Sequence, residues 1–317
     1  MNKLLLINSP EVFQGKKNLN LDGDYFEGWY YKITNGIESM AFIPGISISK
    51  EDRKAFIQVI TNDSSYYVDY DIREFEYGFE PFYVKIGNNY FSRDRIHIDI
   101  GGKEQELVIE GDVSFRDSCN IDSSIGSPNI MGIFAFVPFM ECNHAIISMK
   151  NKTSGGIRLR DRNFIFDKGI GYIEKDWGRS FPKNYIWCQG NNFSNDRVSF
   201  MFSIADIPYG VFSFRGFICS LIIEGKEYRF ATYNRAKVIK CEVKDNGLEI
   251  VLKKGHYYLE IEADKWDGYK LSAPVKGKME KDIVESISSK VRITFKYDEE
   301  VIFRDTSLNC GLEIVLE

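Results

Sequence analysis

The feature that most constrains this chain is the near absence of helical periodicity. No window of eleven or more residues repeats apolar positions at i, i+3, i+4 and i+7 behind a capping residue. Instead, short runs of β-branched and aromatic residues follow one another from end to end: KAFIQVIT, SYYVDYDI, RIHIDI, ELVIEGDVSF, RVSFMFSI, FICSLII, AKVIKCEV, YYLEIEA and VRITFKY. Gly, Asn and Asp separate them, with candidate turns at NDSS (62–65), GNN (87–89), GGKEQ (101–105), EGKE (224–227) and KDNG (244–247). The expected fold is all-β and antiparallel, with less than about 12% helix against a globular norm of roughly 30–35%. One short helix is expected at KMEKDIVESISS, near 278–289.

Length and composition then set the scale. The 317 residues are 44% hydrophobic and 27% charged, enough apolar material for one large or two ordinary domains. The strand order reads as a duplication. Trp29 is followed by runs at 39–46, 54–61 and 65–70, and Trp187 by runs at 199–208, 216–223 and 227–234. The offset between the landmark pairs Trp29/Trp187, Phe56/Phe217 and Tyr66/Tyr228 drifts only slightly. Two tandem modules are therefore expected, at 1–165 and 166–317, joined through the segment 171–193. Alternation alone does not separate sandwiches from barrels. The 24 Phe, 18 Tyr and 4 Trp favour ligand-holding barrels of the lipocalin-like kind, whose interiors accommodate large side chains.

Charge and cysteine usage exclude several classes of function. Forty-one Lys and Arg against 46 Asp and Glu give a net charge of -5 with no basic stripe, so nucleic acid is not an expected partner. The longest apolar stretch, MGIFAFVPFM, is half of what a membrane-spanning helix needs and is interrupted by Pro138. At most, transient contact with a membrane surface is expected. MNKLLLINSPE has no secretory pattern, and the six cysteines show no C-x-x-C spacing. A cytoplasmic protein with free thiols, no metal and no cofactor follows as the expectation.

Three segments carry residues that a strand scaffold does not require. In DYFEGWYYKI, Glu27 lies among Tyr25, Phe26, Trp29 and Tyr30, so it points either to solvent or into an apolar cavity that would raise its pKa. In FVPFMECNHAIIS, Glu141 and His144 are three apart and share a face only if a bulge or turn intervenes. GYIEKDWGRSFPKNYIWCQGNNF is the densest, with Glu174, Asp176, Trp177, Arg179, Trp187, Gln189 and Asn191 beside glycines. Glu174 and Asp176 share a strand face at i and i+2. The plainer alternative is an ion pair of either acid with Arg179 or Lys175.

The runs FEGWYYK, EKDWGRSFP and IWCQGNNF, with the closing GLEIVLE, resemble the tocopherol cyclase family over essentially the whole chain from Asp24. The resemblance implies a pair of lipocalin-like barrels, a fold shared with carotenoid hydratase-like proteins, and cyclisation of a prenylated quinol to a chromanol. That chemistry needs a proton for the alkene, shelter for a tertiary cation, and a ring hydroxyl held within reach. The candidate acids are Glu27, Glu174, Glu141 and His144. Trp29, Tyr30, Trp177 and Trp187 would supply aromatic faces, with Asp176, Gln189 and Asn191 binding substrate. The expected ligand is a prenylated quinol or a similar long apolar small molecule. Two further readings stay open: a lipid carrier without catalysis, and a carbohydrate-active protein using the Glu174 and Asp176 pair.

Overall fold

The computed structural model describes residues 9–20, 23–101, 107–137, 140–209, 212–245, 247–264 and 268–317. Seventy per cent is strand and 5% is helix, in short 3-10 turns only. Among the described residues no helix is long and apolar enough to cross a membrane.

The chain divides into two compact units: residues 1–120, 141–181 and 271–282 form unit one, and 121–140, 182–270 and 283–317 form unit two. Unit one carries a nearly closed antiparallel sheet. Its strands are β1 (Tyr25–Thr34), β2 (Ser39–Ile48), β3 (Arg53–Thr61), β4 (Ser65–Asp71), β5 (Phe75–Phe79) and β6 (Phe82–Ile86). They continue with β7 (Asn89–Ser92), β8 (Arg95–Ile100), β9 (Ile109–Cys119), β10 (Cys142–Leu159), β11 (Arg162–Ile165) and β12 (Gly169–Gly178). The order is β4-β3-β2-β1-β12-β10-β9-β8-β7-β6-β5, with β11 paired to β10.

The second sheet is built from β13 (Tyr185–Gly190), β14 (Val198–Tyr209), β15 (Phe212–Ile223), β16 (Lys226–Ala231) and β17 (Lys237–Lys244). To these it adds β18 (Gly247–Lys254), β19 (Tyr257–Asp264), β20 (Tyr269–Val275), β21 (Lys278–Tyr297) and β22 (Glu300–Val315). Its order is β16-β15-β14-β13-β22-β21-β19-β18-β17, with β20 on β21.

Each sheet covers an apolar core. Trp29, Tyr31, Phe42, Ile57, Phe91, Ile98 and Ile173 are among those that fill the first, and Ile186, Cys188, Phe200, Phe202, Leu221, Ile250 and Phe295 are among those of the second. Burial of such side chains from water is the main stabilising term.

The expected all-β fold is what the chain adopts, with three corrections. The segment 278–289 is not a helix but the start of the 20-residue strand β21, because Ile283 turns inward while Val284 stays half exposed, and the period of two prevails. The division at 165/166 does not separate the units. Strand β12 hydrogen-bonds to β1 and β10, which keeps 169–178 in unit one, whereas β13 opens the second sheet. Finally, each unit does contain a four-strand meander whose first strand also pairs with a later one, β12 or β22. Trp29 points into its core while Trp187 turns away from its own, so those landmarks are not structurally equivalent.

The turns at 62–65, 87–89 and 224–227 connect successive strands as expected. At the last, Glu224 and Gly225 both have positive φ, the geometry whose twist matches a two-residue hairpin. Parts of 101–105 and 244–247 lie outside the described residues.

Candidate functional site

Strands β1, β12 and β10 lie side by side, and the run Glu174-Lys175-Asp176-Trp177 alternates between the two faces of this ribbon. Each face holds its own buried charge cluster.

On the core face, the Lys175 ammonium sits 2.6 Å from Glu27 Oε1, and both side chains are fully buried. Lys175 also donates to the carbonyl oxygens of Pro10 (2.9 Å) and Val12 (2.7 Å), and it lies over the rings of Trp29 and Trp177 at 5.1 and 4.7 Å. Glu27 accepts from the backbone N–H of Gln14 (2.8 Å) and Gly15 (2.9 Å) and from the Tyr25 hydroxyl (2.5 Å). Trp29 Nε1 donates to Glu11 O at 2.7 Å.

The result is a clamp on residues 10–15, which drives Phe13 into the core against Phe75 and Tyr77. Every partner of Glu27 is a donor, the surroundings an ionised carboxylate requires. Burial lowers the Lys175 pKa, opposed by Glu27. Burial, and then the Glu27 charge, raise that of Tyr25.

On the opposite face, β10 places His144 across from Asp176, and β1 places Tyr30 across from Glu174 and Gly28 across from Asp176. His144 Nδ1 is 2.9 Å from Asp176 Oδ1, and Nε2 is 3.4 Å from Glu174 Oε2. The three side chains are 12%, 22% and 6% exposed for His144, Asp176 and Glu174. The Tyr172 hydroxyl donates to Glu174 Oε2 at 2.5 Å, and its ring meets that of Tyr30 edge-on at 6.4 Å. Burial, reinforced by Glu174, raises the Tyr172 pKa well above its ordinary value, so the phenol keeps its proton and acts as a donor. The Cys142 thiol, 3.9 Å from Asp176 Oδ1, is likewise pushed up by burial and then by that carboxylate.

An imidazole bridging two carboxylates, one of them also bound by a phenol, can fix a tautomer and pass a proton along the chain. Among the described residues, His144, Glu174 and Asp176 are also the group whose donor atoms could surround a metal, all within 4.8 Å of one another. Asp176 is hydrogen-bonded at His144 Nδ1 and Tyr172 donates to Glu174, while Nε2 faces Glu174 in ion-pair range at 3.4 Å, so the group as it stands is a compact cluster of two hydrogen-bonded pairs.

The remaining candidates fall elsewhere. Glu141 precedes β10, and its carbonyl accepts from Arg179 N (2.8 Å) and Ser180 N (3.3 Å). Gly178 makes this approach achievable, since a Cβ there would stand 2.1 Å from Glu141 O. Trp187 and Gln189 belong to β13 in unit two, on the side turned away from its core, and Asn191 is buried just beyond that strand. Among the described residues no ion pair joins Glu174 or Asp176 to Lys175 or Arg179. Lys175 is on the other face with Glu27, and Arg179 reaches Asp24 at 3.3 Å. Tyr172 escaped the sequence reading, and Tyr25 was noted only as an aromatic neighbour of Glu27, though each stands two residues before an acid and so shares its strand face.

Comparisons with known proteins agree with this architecture. Over 62 residues the chain is 34% identical to "Tocopherol cyclase, chloroplastic" of Zea mays. Over 63 residues it is 35% identical to "Probable tocopherol cyclase, chloroplastic" of Oryza sativa subsp. japonica. Each match spans 20% of this chain and 13% of the relative's length. The crystal structure of CghA with Sch210972 superposes with a TM-score of 0.60 over 93% of this chain and 89% of that one, at 9% identity, a likeness of fold. The tocopherol cyclase-like family model matches residues 121–316, well over half of the sequence and including His144, Glu174 and Asp176, and the chain belongs to that family.

Proposed function

We propose that this protein catalyses an acid-initiated, intramolecular addition, cyclising a prenylated quinol or a similar long apolar substrate. The proton comes from the His144–Glu174–Asp176 cluster. The observation that carries this reading is the imidazole held 2.9 Å from the partly buried Asp176 carboxylate and 3.4 Å from the buried Glu174 carboxylate. Asp176 holds the Nδ1–H tautomer and orients the ring, while Glu174 and His144 share the acidic proton on the Nε2 side.

The proton passes to the less substituted alkene carbon, leaving a tertiary cation. The ring hydroxyl oxygen attacks that cation, and its released proton returns to Glu174. Atoms balance without a co-reactant, because the product is an isomer of the substrate. Tyr30 and Tyr172 are aromatic rings on this face that can stabilise the cation. Trp29 and Trp177 flank Lys175 instead.

The test is turnover of a prenylated quinol by Glu174→Gln and His144→Gln. General acid catalysis is worth about 10²–10⁴-fold, so each variant loses at least about a hundredfold in kcat while its dissociation constant changes less than about threefold. Variants as fast as the parent overturn the acid assignment. A parent that binds the quinol without turning it over makes the protein a lipid carrier.

A further inference from the structure

Unit two carries a buried polar group that its own fold does not explain. Gln189 is fully buried, and among the described residues neither its Oε1 nor its Nε2 meets a hydrogen-bond partner. Buried polar groups are nearly always satisfied, so an amide with two donors and an acceptor left over calls for a partner that the described residues do not supply. The amide does not belong to the packing of the second core. Its neighbours Ile186 and Cys188 point into that core, whereas Gln189 and Trp187 alternate to the other side of β13.

The backbone beside the amide is shaped to seat an aromatic ring. Gly311 is the β22 partner of Gln189, and the Trp187 ring lies over it so closely that a Cβ there would stand 2.5 Å from Cζ3 and 2.6 Å from Cη2. Any larger residue at 311 would displace the ring from beside the amide. On the β14 side the partner is Met201, a buried and adaptable side chain. A polar pair, a flat aromatic face and a pliable thioether thus stand together on one side of the sheet.

We infer that Gln189 is a ligand-binding residue that receives the hydroxyl-bearing head of an otherwise apolar ligand, with a ring of that ligand against Trp187. The hydroxyl donates to Oε1, and its own or a neighbouring oxygen accepts from Nε2. This goes beyond the reading above, since it concerns a separate hydroxyl-binding residue within unit two, and it rests on that reading only for the class of ligand. The site selects against a head that cannot donate, because Oε1 then remains buried and unsatisfied.

Equilibrium binding followed by tryptophan fluorescence tests this with two probes, a geranylated hydroquinone and its dimethyl ether, on the parent and on Gln189→Leu and Gln189→Met. One hydrogen bond at a buried site is worth about a factor of ten, so the parent prefers the quinol by about tenfold or more, and both variants bind the two probes within about threefold of each other. The variants also unfold at urea concentrations no lower than the parent, because an apolar side chain replaces an unsatisfied amide. Binding is read without turnover, and Glu174→Gln keeps the preference, so failure of the acid assignment leaves this result standing. A parent indifferent to methylation, a preference that survives in both variants, or loss of stability in both would overturn the inference and make Gln189 a structural amide held by ordered water.

Discussion

Replacing Glu27 by Gln separates the two charge clusters of the β1–β12–β10 ribbon. The carboxylate has donors on both oxygens: Lys175 Nζ and Gln14 N at Oε1, and Gly15 N and the Tyr25 hydroxyl at Oε2. Whichever way the new amide turns, its NH2 group faces at least two donors, and Lys175 is left fully buried without a counter-charge. Breaking a buried pair in this manner costs about 3–5 kcal/mol. For a unit of this size each kcal/mol lowers Tm by roughly 2–4 °C, so a fall of about 6–20 °C is expected by near-ultraviolet circular dichroism. Below that transition the protein turns substrate over like the parent, because Glu27 and Glu174 face opposite sides of the ribbon. The double variant Glu27→Leu/Lys175→Met recovers part of the loss, since no lone charge remains, but not the clamp on Pro10 and Val12. A Glu27→Gln protein with unchanged Tm and at least a hundredfold lower kcat would refute the reasoning and make Glu27 the acid.

Three further outcomes are expected. Tyr25, Tyr31 and Tyr172 all have pKa values raised chiefly by burial, so the folded state keeps protons that the unfolded chain releases near pH 10. Their contribution is complete below about pH 10 and lost as pH rises beyond it. Urea midpoints fall across that range, and phenolate absorbance from these residues appears only with unfolding. Lys175, depressed by burial, acts in the opposite sense just below its ordinary value, one group against three. Gly178→Ala destabilises the fold measurably in the same urea assay, because the new methyl would meet the Glu141 carbonyl. Asp176→Asn lowers kcat with little change in substrate affinity, since Asn can present its NH2 to Nδ1 and favour the wrong tautomer. An unchanged kcat removes the orienting role of Asp176.

The strands were legible because alternation and turn chemistry are local. So was the shared face of Glu174 and Asp176, which follows from their spacing alone. What each face looks towards was not legible. In β1 nine of ten residues are buried, so no polar and apolar rhythm distinguishes the side with Glu27 from the side with Tyr30. That is why Glu27 and Trp29, prominent in the sequence, read as site residues although they clamp residues 10–15. His144 could not be matched with Asp176 because the pairing of β10 with β12 joins residues 32 apart. The partner of Glu27 was missed for the same reason, since Lys175 arrives from a strand formed far along the chain. The helix expected at 278–289 failed because pairing with β22, in a strand that β20 also joins, holds this part of β21 extended and overrides local propensity.

The central claim is that His144, Glu174 and Asp176 deliver a proton to carbon. Cyclisation of a prenylated quinol run in heavy water, with the product examined by mass spectrometry, tests it most directly. One solvent deuteron should appear per product molecule, on the carbon next to the newly formed C–O centre, and Glu174→Gln should abolish both deuterated product and turnover. Product free of deuterium, or labelled product formed as fast by Glu174→Gln as by the parent, would contradict the account.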